Sequence, residues 1–129
     1  MTKTKIAERI MRADVPNGNN RTYPMAILEQ CVELCKEQTV FGILGAPSAG
    51  FVDLNEVSHM VRNLRIDEDG YLLGDVEVLQ TDKGDILGQL LDEVQIDFRV
   101  SGTGDVDEDG IVRNFKFLSI DAVYDGADL

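Results

Sequence analysis

The chain has 129 residues, 12 of them basic and 24 acidic, for a formal net charge of −12, and 43% of its residues are hydrophobic. This length is typical of one domain, predicted to span residues 1–129, which can bury a core without disulfides or metals. The charge excludes nucleic acid as a main partner, because that binding needs a basic face. No apolar run reaches the ~18 residues of a membrane span. Residues 1–5 lack the apolar segment of a signal peptide, which predicts a protein that stays in the cytosol where it is made.

The predicted elements, in chain order, alternate short strands with two helices. Apolar residues at a 3.6-residue period indicate helices, and short apolar or alternating runs between turn residues indicate strands. The strands are predicted at residues 5–13, 39–44, 57–66, 71–79, 96–101 and, as one or two strands, 111–123; the helices are predicted at about 24–37 and 82–93. This pattern predicts a β-rich α+β domain of about six or seven strands and two helices.

Two local patterns make finer predictions in the N-terminal part. The first strand places Ile6 and Ile10 on one face, although its alternation is imperfect. Pro24 suits the first turn of the first helix, where its missing N–H costs nothing. Thr22 or Tyr23 is then expected to be the helix cap.

Two cysteines, Cys31 and Cys35, lie four residues apart in the first helix pattern. Thioredoxin-type sites need a Cys-x-x-Cys spacing, and a zinc site needs two further ligands that the chain does not offer. We therefore expect both cysteines to be reduced residues of the apolar core. No phosphate-binding, nucleotide or flavin motif is present, so no cofactor is predicted.

An Asp-Glu-Asp-Gly turn occurs twice, at residues 67–70 and 107–110, and its Asp-Gly pair predicts a β-hairpin each time. Around the second turn, aspartates at 105, 107 and 109 imitate the start of a calcium-binding loop. Such a loop needs a glutamate at its twelfth position and a helix on each side. The twelfth position here is Lys116 and strands flank the loop, so we predict no metal site.

His59 is the chain's only histidine, so any histidine-dependent catalysis must use it. Ser101 is followed by Gly102-Thr103-Gly104, and glycines in this place can present N–H groups to a developing oxyanion. If the chain is an enzyme, we expect Ser101 as the nucleophile and His59 as its base. The alternatives are a structural histidine inside a strand, and an ordinary loop that ends the strand after Ser101.

Several segments, in order and spacing, together resemble the phage prohead (capsid maturation) protease family. They extend over nearly the whole chain and comprise Arg21-x-Tyr23-Pro24, residues 42–47, residues 53–59, Tyr71-x-x-Gly74, residues 81–87, Ser101-Gly102-Thr103-Gly104, and Phe117-x-x-Ile120-Asp121-Ala122-Val123. The resemblance implies a herpesvirus-protease-like fold, a β-barrel ringed by helices. It also implies a serine endopeptidase activity directed at scaffold and capsid proteins.

The departures from that family concern its catalytic residues. The family places its catalytic histidine before the proline of a Gly-Glu-Leu-x-His-Pro motif, and here that position is Ala46. The family's nucleophile motif is Gly-x-Ser-Ser-Arg-Gly-x-Gly. When its last two glycines are aligned without gaps on Gly102 and Gly104, Arg99 and Val100 take the places of the two serines. A gapped alignment retains Ser101 but deletes two residues of the oxyanion loop. Loss of one member of a catalytic triad removes about 10⁴-fold or more of the rate.

The resemblance and these departures predict a protein that is not an enzyme and has no catalytic residues. It would be a structural component of a tailed-phage head, as a decoration, cement or minor capsid protein on an inactive prohead-protease fold. The expected partners are the major capsid protein or other head proteins, with the chain as a homo-oligomer or bound to the lattice. The expected location is the virion, after synthesis in the host cytoplasm. The alternatives are an active maturation endopeptidase using Ser101 and His59, and a transient scaffold or assembly adaptor.

Overall fold

A computed structural model describes residues 3–48 and 50–124 of the chain. The sequence of residues 46–50 predicts a break after the second strand, and one of these residues, Ala49, lies outside the described residues. Both ends of the predicted domain 1–129 lie outside them as well. The elements are β1 (Thr4–Arg12), α1 (Met25–Glu37), β2 (Val40–Ile43), β3 (Val57–Ile66), β4 (Tyr71–Val78), α2 (Asp82–Glu93), β5 (Asp97–Val106) and β6 (Val112–Val123). The α+β class and the predicted number of elements are confirmed. Neither described helix is long and apolar enough to cross a membrane.

The six described strands form two antiparallel sheets, one in the order β1-β4-β3-β2 and one of β5 with β6. They do not close into the barrel that was expected. Among the described residues, a single isolated bridge joins the two sheets here, between Leu44, just after β2, and Ala122 of β6. Its hydrogen bond runs from the Gly45 N–H to the Ala122 carbonyl oxygen at 2.8 Å. One apolar core nevertheless extends between the sheets and the helices, with Leu28, Leu72 and Ile120 fully buried.

A β-bulge in β1 changes which of its residues face the core. The register with β4 shifts between Ala7 and Met11. As a result Ala7 and Ile10, three residues apart, are both buried, whereas Ile6 is 52% exposed. The prediction that Ile6 and Ile10 share a face was therefore wrong, because β1 has two more residues between Ala7 and Met11 than the stretch of β4 that it pairs with, and this irregularity breaks the two-residue alternation of a strand.

The start of α1 also differs from the prediction. Pro24 itself occupies the cap position and has no side chain able to accept a hydrogen bond, so neither Thr22 nor Tyr23 is the cap. The backbone N–H of Met25 instead donates to the Asp14 carboxylate at 3.2 Å. A carboxylate at a helix N-terminus satisfies a free N–H and also interacts favourably with the helix dipole. The cap thus comes from a residue ten positions before Pro24 in the chain.

The segment after Ser101 is a strand rather than the loop that was expected. Gly102 and Thr103 pair with Phe117 and Lys116 of β6, and β5 continues to Val106. A side chain at Gly102 would lie 2.3 Å from the Lys116 carbonyl oxygen. The glycine is therefore explained by the close approach of β6, which leaves no room for a Cβ atom.

Both predicted hairpins and the predicted state of the cysteines are confirmed. Gly70 and Gly110 end the two turns with positive φ, at 84° and 80°, which suits glycine. Cys31 and Cys35 are both free thiols, and burial raises the pKa of Cys31 to about 12. Cys31 is fully buried and Cys35 packs against the same core.

Candidate functional site

A cleft of about 740 Å³ lies between the end of β1, the segment after β2, and the middle of β5. Ala46 and Pro47, which the sequence resemblance aligns with the His-Pro pair of the prohead proteases, line this cleft, and so does Ser101. The structure therefore brings Ala46, aligned with the family's histidine, close to Ser101, which the gapped alignment keeps as the nucleophile; Arg99 and Val100, the serine positions of the gap-free alignment, line the cleft as well. His59 is not among the residues that line the cleft.

Ser101 is half-buried and its hydroxyl is bound to a carboxylate. It donates to Asp121 Oδ2 at 2.5 Å. Asp121 is fully buried and accepts two further hydrogen bonds, from the Ser119 hydroxyl at 2.9 Å and from the Ile43 backbone N–H at 3.0 Å. This one carboxylate therefore connects β2, β5 and β6.

The environment of Asp121 disfavours its charged form. Burial raises the pKa of the carboxyl group, and the hydrogen bonds from Ser101, Ile43 and Ser119 lower it by less than burial raises it. A buried carboxylate is tolerated only with such partners, because desolvation of an unpaired charge is costly. Asp121 can accept a proton from Ser101 only weakly, since carboxylates are poor bases compared with imidazole.

His59 is fully buried between the two sheets and has other partners at both ring nitrogens. Nε2 lies 2.7 Å from the Ile120 carbonyl oxygen, which can only accept, so Nε2 carries the hydrogen. Nδ1 lies 2.7 Å from the Ser58 hydroxyl and accepts from it. The ring also packs edge-on against Phe98 with the centroids 5.3 Å apart.

The pKa of His59 is lowered to about 4 by burial, with the hydrogen bond to the Ile120 carbonyl acting in the opposite direction. The imidazole is therefore neutral near pH 7. Among the described residues, no hydrogen bond joins His59 to Ser101; the two have separate partners. The pair that was expected in an active enzyme is not assembled in this structure.

Asp121 is the residue of this site that sequence reasoning did not single out. A signal was present, because Asp121 is the one charged residue in the apolar run Ile120-Asp121-Ala122-Val123 at the end of β6. Acidic residues are rarely buried without a specific partner, so a lone aspartate in such an apolar run indicates a specific structural or functional role.

The acidic turn that imitates a calcium loop uses its oxygens internally. Asp107 Oδ1 accepts from the backbone N–H groups of Asp109 and Ile111 at 2.9 and 3.0 Å, and Oδ2 accepts from Arg113 at 3.1 Å. The hydrogen bond from Ile111 is the largest cause that lowers the pKa of Asp107. Within residues 3–48 and 50–124, no group of three or more histidine, cysteine, aspartate or glutamate residues could hold a metal ion.

Two open sheets of six strands, two helices and a cleft that contains Ser101 and Ala46 define a prohead-protease-like fold. The solved structure of the bacteriophage T4 capsid assembly protease, gp21, is similar to this chain, with a TM-score of 0.80 and 25% sequence identity. The similarity covers 96% of this chain and 81% of that chain. No family model and no curated protein matches the chain.

Proposed function

We propose that this protein is a structural component of a tailed-phage head, built on a protease fold that does not cleave. The proposal starts from the similarity to a phage capsid assembly protease, which favours a role in the phage head and contacts with head proteins. The protein would act as a decoration, cement or minor capsid protein. It would remain in the virion bound to the capsid lattice, where many weak contacts add up.

The observation that carries this proposal is the separation of the only histidine from the serine of the cleft. Ala46 leaves the cleft without an imidazole at the place where the family has one. His59 is neutral, buried and bound at both nitrogens. A serine hydroxyl is a weak nucleophile unless a neighbouring base takes its proton. These facts support a cleft that binds rather than cleaves.

An active endopeptidase is the second candidate, and the Ser101–Asp121 hydrogen bond favours it. With a raised pKa, the Asp121 carboxylate is a better base than an ordinary aspartate. In this candidate Asp121, rather than His59, would assist Ser101 in the cleavage of scaffold and capsid proteins. The third candidate, a transient scaffold or assembly adaptor, differs by its absence from finished heads.

Intact-mass spectrometry of purified mature heads tests the structural role. We expect the full-length chain at tens to hundreds of copies per particle. Absence from mature heads would contradict a structural role and favour the transient adaptor; a trace of truncated chain would favour the protease.

Labelling of purified protein with a fluorophosphonate probe, which reacts with activated serines, tests the chemistry directly. We expect no labelling of Ser101, and the same background for wild type and Ser101→Ala. Labelling that disappears in Ser101→Ala and in Asp121→Asn would show an activated Ser101 and favour the active endopeptidase instead.

A further inference from the structure

The cleft has a charge opposite to that of the rest of the protein. The chain carries 24 acidic and 12 basic residues. None of the acidic residues that the structure describes lines the cleft, whereas five basic ones do: Arg9, Arg12, Arg21, Arg99 and Lys116. A concave site lined by one sign of charge concentrates ligands of the opposite sign.

The basic residues of the cleft also lack the ion pairs that the others have. Outside the cleft, six of the seven basic side chains form an ion pair; these are Lys3, Lys36, Arg62, Arg65, Lys83 and Arg113. In the cleft only Arg99 has one, with Asp97 at 3.7 Å. The other four cleft cations form no ion pair with a described carboxylate. Positive charge is therefore left available in a cleft whose described lining contains no acidic side chain.

Arg9 and Arg12 both contact one aromatic ring. Their guanidinium carbons lie 5.2 and 4.9 Å from the centroid of Tyr71. Arg9 lies in the irregular stretch of β1 between Ala7 and Met11, and Arg12 pairs with Tyr71 just beyond it. Because both guanidinium carbons lie within 5.2 Å of one ring centroid, they are at most about 10 Å apart, so an anion near them is attracted by both charges. Guanidinium groups suit carboxylates particularly well because both are planar and can form two parallel hydrogen bonds.

We propose that this cleft binds an extended acidic segment of a partner protein and releases it uncut. The absence of cutting rests on the function proposed above, whereas the preference for acidic side chains rests only on the charges and positions of the cleft residues. The cleft volume of about 740 Å³ falls within the range of ~300–1,000 Å³ that is usual for ligand-binding clefts. A long polyanion such as nucleic acid is disfavoured, because its flanking phosphates would lie against the acidic surface outside the cleft.

Fluorescence anisotropy with labelled eight-residue peptides tests the preference. The probe is a glutamate-rich peptide with leucine spacers; its matched control has glutamine in place of each glutamate. We expect the full-length protein to bind the glutamate peptide at least tenfold more tightly than the glutamine peptide. The difference should shrink when NaCl is raised from 50 to 500 mM, because salt screens exposed charges. Equal affinity for the two peptides would overturn the proposal.

Paired substitutions locate the binding. Arg9→Gln with Arg12→Gln should weaken binding of the glutamate peptide about tenfold. The control is Arg62→Gln with Arg65→Gln, which removes the same charge from exposed, ion-paired arginines of β3 and should change the Kd less than twofold. Equal weakening by both pairs would mean that net charge alone matters, and would overturn the proposal. Should the first pair unfold the protein, as judged by circular dichroism, Arg21→Gln with Lys116→Gln replaces it with the same expectation.

Two further outcomes separate this proposal from the others. A single-stranded oligothymidylate of eight nucleotides that competes as well as the glutamate peptide would overturn the assignment to a protein segment. Mass spectrometry of the bound peptide then examines cleavage. An acidic peptide that binds and is cut in a Ser101-dependent way would support the acidic preference and overturn the proposed non-proteolytic function. Failure to bind would overturn the acidic preference and leave that function in place.

Discussion

His59 Nε2 donates a hydrogen bond to the Ile120 carbonyl oxygen at 2.7 Å, and this contact connects the two sheets of the protein. His59 lies on β3 in the four-stranded sheet and Ile120 lies on β6 in the other sheet. Between them runs β2, whose Gly42 pairs with His59. The contact is possible because Gly42 has no side chain to fill the space.

Gly42→Ala should destabilise the fold strongly. Its Cβ would lie 1.9 Å from the Ile120 carbonyl oxygen and 2.2 Å from His59 Nε2, so the sheets must move apart or the hydrogen bond must break. We expect a loss of about 3 kcal/mol or more in the free energy of unfolding, measured with urea. Gly88→Ala is the control. Its Cβ would meet only Val78 at 3.8 Å, and alanine in a helix interior should stabilise by up to ~1 kcal/mol. Similar losses for the two variants would contradict this account.

The single histidine should titrate far below its usual range. NMR of the imidazole Cε1–H signal, which is unambiguous in a chain with one histidine, should give a pKa of about 4 for the folded protein. A midpoint near 6.5 would show that the ring is not buried as described.

The same shift makes the stability depend on pH. The unfolded chain takes up a proton at His59 near pH 6.5, whereas the folded protein does so only near pH 4. The unfolded state therefore binds more protons between these values, so stability falls as the pH falls from about 6.5 to about 4. We expect this contribution to be of order 3 kcal/mol, and to be absent in His59→Gln. Urea unfolding at pH 7.5 and pH 4 measures it, and an equal pH slope in the variant would refute it.

Replacement of Asp121 should show how much its three hydrogen bonds contribute. Asp121→Ala leaves the Ser119 hydroxyl and the Ile43 N–H without their partner in a buried place, and we expect a loss of about 3 kcal/mol. Asp121→Asn should lose less, because the amide oxygen still accepts a hydrogen bond and no charge is buried.

The pH dependence of these Asp121 variants carries the opposite sign to that of His59. Burial raises the pKa of Asp121, so its contribution to stability weakens as the pH rises through that value. The stability of Asp121→Asn relative to wild type should therefore improve with rising pH. Urea unfolding of both proteins at pH 4.5 and pH 7.5 measures this, and a relative decline with pH would contradict the shift.

Gly102→Ala should disturb the site from within the β5–β6 pairing. The added Cβ would lie 2.3 Å from the Lys116 carbonyl oxygen and 2.6 Å from Phe115 Cζ. We expect a loss of ~2–3 kcal/mol by overpacking. Gly50→Ala, at another residue of the same cleft, has no atom within 4 Å of its Cβ and should leave thermal stability within about 2 °C. An unchanged melting temperature in Gly102→Ala would mean that β6 does not lie against this residue.

Local patterns predicted those parts of the fold that depend on neighbours in the chain. The second helix was predicted at its observed bounds, because leucine and isoleucine recur at helical spacing there. The structure adds a local cap, since the Thr81 hydroxyl accepts from the Gly84 N–H. Both Asp-Gly hairpins were predicted for the same reason, since the turn needs only its own residues. The face of β1 on which Ile6 lies was predicted wrongly, because the bulge arises from the way β1 pairs with β4, and the residues of β1 alone do not reveal that pairing.

The amino-acid sequence by itself determined the charge, the class and number of the elements, and the presence of alanine rather than histidine at position 46. It could offer Ser101 and His59 only as candidates, because sequence does not reveal which side chains meet across two sheets. The tertiary structure decided that Ser101 lies against Asp121 and that His59 lies against Ile120. It also gathered five cations into one cleft from β1, β5, β6 and the loop before α1. Such contacts join residues that are far apart in the chain, and they exist only once packing has brought the strands together.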